Sequence, residues 1–169
     1  MNVVLIGFMG TGKSTIGRGL AKRLALTHVD LDELIVQQSG CSIPEIFARS
    51  GELGFRQRET ACLKAAMARS GVLSTGGGTA VQAANRAVLM AAKTPVVWLT
   101  ATPETVLKRI GDDPNRPLGR PDQLATLLAE RTQAYQAVAD LIIHTDDETP
   151  VTLIDQIAFW LTAQQQTQA

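Results

Sequence analysis

The chain has little that would tie it to a membrane, a nucleic acid or an oxidising compartment. No apolar run approaches the ~20 residues a bilayer span needs. Sixteen basic and sixteen acidic residues cancel, so no net charge draws the chain to a polyanion or a lipid surface. No membrane and no nucleic-acid partner are therefore expected. Only two cysteines occur in 169 residues. Cys41 and Cys62 have neither CxxC spacing nor a nearby histidine, which argues for two buried or half-buried thiols in a reducing compartment, not a disulfide or metal site. His28 and His144 have no base or metal partner in sequence and read as ordinary strand-end residues. No charged, cleavable apolar segment precedes the first apolar run, so a cytoplasmic location is expected, or an organelle lumen after loss of a presequence.

What is present is an ordinary globular composition, 45% apolar, of a length suited to one domain over residues 1–169. Apolar strand patterns at 2–6, 28–30, 72–75, 95–100 and 141–143 alternate with helical patterns at 14–25, near 33 onward, from 43, 52–69, 82–92, 103–110, 121–138 and 151–163. Short apolar strands separated by helices predict an α/β fold of three layers, a five-stranded parallel sheet flanked by helices on both faces. Ser42-Ile-Pro-Glu45 is a capping box with proline in the first turn. Trp98, Leu63 and Met67 fall at core positions. Residues 111–122 hold three prolines, two glycines and two arginines without strand or helix periodicity. A stretch of that kind in a compact domain is more often a functional lid than idle connection. The glutamine-rich end, 164–169, reads as a flexible tail.

The most informative run is Gly7-Phe-Met-Gly-Thr-Gly-Lys-Ser-Thr15. It follows an apolar strand, opens a helix, and matches G-x-x-x-x-G-K-[ST]. Glycine lets the backbone wrap closely round an anion, and the freed N–H groups of Gly10, Thr11, Gly12, Lys13, Ser14 and Thr15 lie at a helix N-terminus that favours negative charge. Lys13 supplies a mobile cation for the outer phosphates, and the Ser14 hydroxyl is placed to ligate Mg²⁺. A nucleoside triphosphate is the expected ligand.

Ligands of parallel sheets sit at the carboxyl ends of the strands, which directs attention to the residues after each one. Asp30 and Asp32 follow the second strand; two carboxylates there can hold the metal's water and orient an attacking hydroxyl, or one of them can simply cap the next helix. Arg56 and Glu59 share a helix face at i,i+3, either as a held guanidinium or as a surface ion pair. Gly76, Gly77 and Gly78 follow the third strand, where glycine permits close backbone approach to a ligand or makes a mobile loop. Arg116 and Arg120 stand in the lid segment and Arg131 on the helix beyond it. Arginine outnumbers lysine eleven to five, a bias suited to carboxylate and phosphate recognition.

Taken in order, GFMGTGKST (7–15), DLD (30–32), SIPEIF (42–47), GELGFRQRE (51–59), STGGG (74–78) and RPL (116–118) resemble the shikimate kinase family along the whole chain. That family has a P-loop fold of the nucleoside-monophosphate-kinase type. The resemblance implies ATP and Mg²⁺ as cofactors and shikimate as the small-molecule substrate, phosphorylated at its 3-hydroxyl by a monomeric enzyme. It implies Lys13, Asp32 and Arg116 as catalytic groups, with Ser14 and Asp30 serving the metal. Arg56 and Arg131 would grip the substrate carboxylate, the glycines at 76–78 would meet its hydroxyls, and Phe47 and Phe55 would line its apolar edge, within a substrate-binding region at 30–60. Arg109 would stack on adenine, with the 145–150 loop and Pro150 on the other side. Two features depart from the family pattern: a short lid with Gly119, and an acidic adenine loop (Thr145 to Pro150) that would weaken nucleotide binding. The rivals are a gluconate-type kinase on the same fold, a nucleotide-binding regulatory module without catalysis, and a nucleic-acid-acting P-loop protein, for which the chain lacks a basic stripe.

Overall fold

The computed structural model describes residues 2–111 and 121–167. Five strands, β1 (Val3–Ile6), β2 (His28–Asp30), β3 (Val72–Ser74), β4 (Val96–Thr100) and β5 (Leu141–His144), form one parallel sheet in the order β2-β3-β1-β4-β5. The helices are α1 (Lys13–Arg23), α2 (Leu31–Ser39), α3 (Ile43–Met67), α4 (Ala83–Ala91), α5 (Pro103–Ile110), α6 (Pro121–Gln136) and α7 (Pro150–Thr167), with a short 3-10 turn at Thr79–Val81. β1 is central, and its period-2 alternation feeds both faces. Val4 and Ile6 join Leu31, Ile35, Leu63, Leu73 and Trp98 in one core, whereas Val3 and Leu5 join Ile16, Leu20, Val97, Leu99 and Ile157 in the other. A smaller cluster of Phe8, Val106 and Leu124 closes the carboxyl edge of the sheet. Among the described residues no helix is long and apolar enough to cross a membrane.

Local sequence accounts for most boundaries. The Ser42–Glu45 capping box forms in both directions, and Thr102 accepts from the Thr105 N–H at the head of α5. Gly51 breaks the helical path inside α3 at φ 63°, ψ −173°, so the two helical patterns meet at a kink instead of a loop. α2 begins at Leu31, earlier than its pattern suggests, because Asp30 caps it by accepting from the Asp32 N–H. α1 stops at Arg23 instead of 25, and Ala25 takes a positive φ of 54° beyond it. α7 runs on through Thr167, past the end of its predicted pattern at 163. The lid residues 112–120, Arg116, Gly119 and Arg120 among them, lie outside the described residues. Both cysteines are free thiols, Cys62 buried and Cys41 half-buried.

His28, with no partner evident in sequence, acquires one through the sheet. Its Nε2 lies 2.9 Å from Ser74 Oγ, and Ser74 donates in turn to the Lys13 carbonyl at 3.0 Å. Since the serine proton is used there, His28 Nε2–H is the donor to Ser74. Burial holds the imidazole below its ordinary pKa, against the pull of Asp30. Gly17 makes room for this pair, because a Cβ there would lie 2.4 Å from Ser74 Oγ and 2.7 Å from His28 Nε2. Helix propensity favours alanine over glycine inside α1 by about 1 kcal/mol, but overpacking of roughly 1–3 kcal/mol opposes it. Gly17→Ala is therefore expected to lower the denaturation midpoint in urea, with an unchanged slope; a raised midpoint would show that α1 can lift off β3 at no cost.

Candidate active site

The loop after β1 turns on three glycines with positive φ, Gly7 (139°), Gly10 (76°) and Gly12 (92°). At Gly7 a Cβ would sit 2.1 Å from the Leu99 carbonyl oxygen, so this position excludes every side chain. Thr11 Oγ1 donates to the Phe8 carbonyl at 2.8 Å, and so does the Lys13 ammonium, at 2.7 Å. The loop is thus folded back on itself, with Lys13 buried at its base. A cleft of about 720 Å³ opens over it, lined among others by Gly10 to Ile16, Asp30, Asp32, Thr75 to Gly77, Arg109, Thr145 and Pro150.

The residues fit a metal-bound nucleotide. The glycine-lined turn is a ready anion cradle. Ser14 Oγ donates to Asp30 Oδ2 at 2.8 Å, which brings a hydroxyl and a carboxylate, both hard oxygen ligands, to one point of the cleft wall. Among the described residues no group of three or more His, Cys, Asp or Glu could cage a metal. A site of one hydroxyl and one carboxylate suits Mg²⁺, which keeps waters and takes its remaining ligands from phosphates. Arg109 closes the far end. It donates to the Gly10 carbonyl at 3.3 Å, to Thr145 Oγ1 at 2.8 Å and to the Thr145 carbonyl. The acidic loop beside it is tied down at Asp146. Burial opposes ionisation of Asp146, but hydrogen bonds from the Thr102 N–H, Thr105 and the Thr102 hydroxyl outweigh it and hold its pKa below the usual carboxylate range. Asp146 thereby ties the loop to the head of α5.

The triple glycine is no idle loop. Each residue carries the close approach of a different functional group. A Cβ on Gly76 would be 2.8 Å from Asp32 Oδ1. The Gly77 carbonyl accepts from Tyr135 at 2.5 Å and from Arg131 at 3.4 Å. A Cβ on Gly78 would be 2.8 Å from Arg56 Nη2. Burial pushes the Tyr135 hydroxyl up to about 12, with Arg131 opposing, so it remains a donor at neutral pH.

Arg56 is held by more than a surface pair. It reaches Glu59 at 2.9 Å and Glu52 at 3.4 Å, and the Glu59 side chain is only 1% exposed. Its guanidinium carbon lies 5.1 Å from the Phe55 ring centroid, and Phe55 stacks on Phe47 at 4.7 Å, which makes a continuous apolar-cationic row. Arg131 similarly lies 5.1 Å from the Phe8 ring. Arg56, Arg131, Gly78, Phe47 and Phe55 do not line the nucleotide-sized cleft itself; they join its edge through the glycine turn. Of the two aspartates, Asp30 does the capping and faces Ser14, which leaves Asp32 beside Gly76. Sequence inspection missed Tyr135, although its i,i+4 spacing from Arg131 on α6 marks a shared face. It also missed Thr79 and Asn85, which no local pattern brings to Glu59. Gly78→Ala should displace the Arg56 guanidinium in a crystal structure and, because that guanidinium is held by the buried Glu59, lower the melting temperature. An unmoved Arg56 would mean that the contact exerts no constraint.

Three comparisons with known proteins bear on this geometry. The family model described as shikimate kinase matches residues 9–162. The chain is 42% identical over 161 residues to the shikimate kinase of Enterococcus faecalis, spanning 92% of this chain and 95% of that one. Its structure is similar to that of the shikimate kinase from Acinetobacter baumannii in complex with shikimate, with a TM-score of 0.89, 38% identity, and coverage of 96% of this chain and 93% of that one. A gluconokinase from Sinorhizobium meliloti is also similar, with a TM-score of 0.64 at 13% identity over 96% of this chain and 91% of that one; that likeness concerns the fold alone.

Proposed function

The chain belongs to the shikimate kinase family, and from that premise we propose that it phosphorylates the 3-hydroxyl of shikimate with ATP. The products are shikimate 3-phosphate and ADP, in the route to chorismate and the aromatic amino acids. Shikimate kinases are small-molecule phosphotransferases that use ATP with Mg²⁺. The enzyme acts as a monomer in the cytoplasm, on a free small molecule, with no nucleic acid or membrane involved.

The chain's own residues work by position and charge. The backbone of Gly10 to Thr15 and the Lys13 ammonium hold the phosphates, while Arg109 and Pro150 flank the adenine. Ser14 and Asp30, paired in the cleft wall, would hold Mg²⁺, which when bound would neutralise charge on the phosphates. Asp32 orients the acceptor hydroxyl and takes its proton as the oxygen attacks. Lys13 and Arg116 draw the charge that develops on the transferred group; Arg116 lies outside the described residues, and its part rests on the RPL motif. Arg56 and Arg131 take the acceptor carboxylate, for which the guanidinium fork is the best partner. Gly76, Gly77 and Gly78 let the ring hydroxyls approach backbone, and Phe47 and Phe55 border the ring's apolar edge, within a substrate-binding region at residues 30–60.

One observation supports this assignment above the others. A single glycine turn meets Asp32, Arg131 and Arg56 in succession, and its middle residue packs against the Met9 backbone of the phosphate loop, which supports reading the three as acceptor-side groups beside the phosphate cradle. Gluconate is also a carboxylate, so what sets this chain apart from a gluconate-type kinase is the Phe55-Arg56-x-x-Glu59 helix followed by the triple glycine at 76–78.

Lys13→Ala is expected to lower kcat by at least about a hundredfold with the circular dichroism spectrum unchanged; near-normal turnover would remove Lys13 from the mechanism. Arg56→Lys should raise the KM for shikimate by about tenfold, because a point charge cannot replace a planar fork. Turnover with Mg²⁺-ATP, measured against shikimate, quinate, gluconate and nucleoside monophosphates, tests the assignment as a whole. Shikimate is expected to be the preferred acceptor, and turnover of gluconate without turnover of shikimate would sink it.

A further inference from the structure

Glu59 is a carboxylate withdrawn from solvent in the middle of α3, and all the hydrogen bonds around it are accounted for. Its Oε2 accepts from Arg56 Nη1 at 2.9 Å and from Asn85 Nδ2 at 3.2 Å. Its Oε1 accepts from Thr79 Oγ1 at 2.8 Å. Thr79 and Asn85 are themselves fully buried. The Asn85 amide has only one orientation that works: Oδ1 accepts from Thr60 at 2.6 Å, while Nδ2 donates both to Glu59 and to the Thr79 carbonyl at 3.0 Å. The cluster therefore joins three segments: α3 through Glu59 and Thr60, the 3-10 turn that follows Gly78 through Thr79, and the start of α4 through Asn85.

The physical consequence concerns Arg56. A buried carboxylate needs several donors to stay in place, and losing one is costly. With Oε1 held by Thr79 and Oε2 shared with Asn85, Glu59 cannot rotate to follow the arginine, so the arginine must conform to the glutamate. The same Thr79 that holds Glu59 leads directly out of Gly78, against which the guanidinium rests. Arg86, one residue beyond Asn85, donates to the Ala80 and Val81 carbonyls at 2.9 and 2.6 Å and so stiffens the same turn. The guanidinium is thus gauged against the glycine turn through a rigid link that runs from Thr79 to Glu59.

We infer that Thr79 and Asn85 are positioning residues for the acceptor side of the site: by immobilising Glu59, they set the direction in which Arg56 presents its guanidinium to the substrate carboxylate. Neither touches the substrate. The inference rests on Arg56 gripping the carboxylate, and the two ideas can be separated in one set of measurements.

Steady-state kinetics with shikimate and ATP varied independently would compare wild type with Thr79→Val, Thr79→Ser, Asn85→Asp and Arg56→Lys. Thr79→Val keeps the shape and removes the donor; Asn85→Asp keeps the shape but sets a second carboxylate against Glu59. Both should raise the shikimate KM by about tenfold, as the Arg56 fork is turned out of line with the carboxylate, with the ATP KM within about twofold of wild type. Thr79→Ser, which restores the hydroxyl, should recover wild-type behaviour. A lower melting temperature for Thr79→Val with an unchanged shikimate KM would reduce the cluster to packing and overturn the inference. A parallel rise of both KM values would overturn it too, by showing a general loosening of the fold. Should Asn85→Asp fail to fold, the Thr79 pair decides the matter alone. An unchanged shikimate KM in Arg56→Lys would refute the carboxylate grip itself, whatever the Thr79 variants do.

Discussion

The carbonyl oxygen of Leu99 stands 2.1 Å from the point where any side chain at position 7 would begin. β1 and β4 are neighbours in the sheet, and the chain can leave β1 and curl into a phosphate cradle only if nothing projects there. Once Gly7 has made that turn, Lys13 and Ser14 fall into the first turn of α1, and the Lys13 carbonyl is within reach of Ser74 on β3. The donor half of the cleft thus hangs from one backbone contact. It is braced on the other side by Asp30, which caps α2 with one oxygen and receives Ser14 with the other.

The acceptor half is organised by a second run of absent side chains. Gly76, Gly77 and Gly78 are not strained: among them none takes a positive φ. Their use is space, since the carboxylate of Asp32, the backbone of Met9 and the guanidinium of Arg56 occupy the volume their side chains would need. Flexibility in the unfolded chain is the cost of such a turn. It is offset by hydrogen bonds that pin the segment from outside, from Tyr135 and Arg131 to the Gly77 carbonyl and from Arg86 to the two carbonyls that follow the turn. Glycine therefore serves two different physical ends in one site, a forced dihedral at residues 7 to 12 and a close approach at residues 76 to 78.

Much of this was legible before any coordinates. Hydrophobic periodicity and cap signals located the strands and helices, because burial on both faces leaves near-continuous apolar strands and because capping is a local matter. Motif spacing brought out the phosphate loop, the two aspartates, Arg56 and the glycine turn. Less legible were boundaries that depend on which of two equivalent groups does a job. One of two aspartates could cap α2, and the helix starting at Leu31, directly after β2, made Asp30 the cap. His28 looked solitary because its partner is 46 positions away. The tie between Asp146 and the head of α5 was not legible either, because its donors belong to Thr102 and Thr105, in a different segment.

By itself the sequence determined the class of chemistry: a glycine-lysine-serine turn between a strand and a helix binds phosphate whatever surrounds it, since dihedral freedom and backbone N–H groups are local properties. It also determined the parallel sheet and the supply of arginines suited to a carboxylate. Only the tertiary structure decided which of those groups act together. Whether the Arg56–Glu59 pair is a weak surface contact or a fixed grip depends on desolvation, and Glu59 is desolvated because Thr79 and Asn85, 20 and 26 residues further along, are folded over it. The strength of a charge pair is set by the medium around it, and that medium is assembled from residues far apart in the chain.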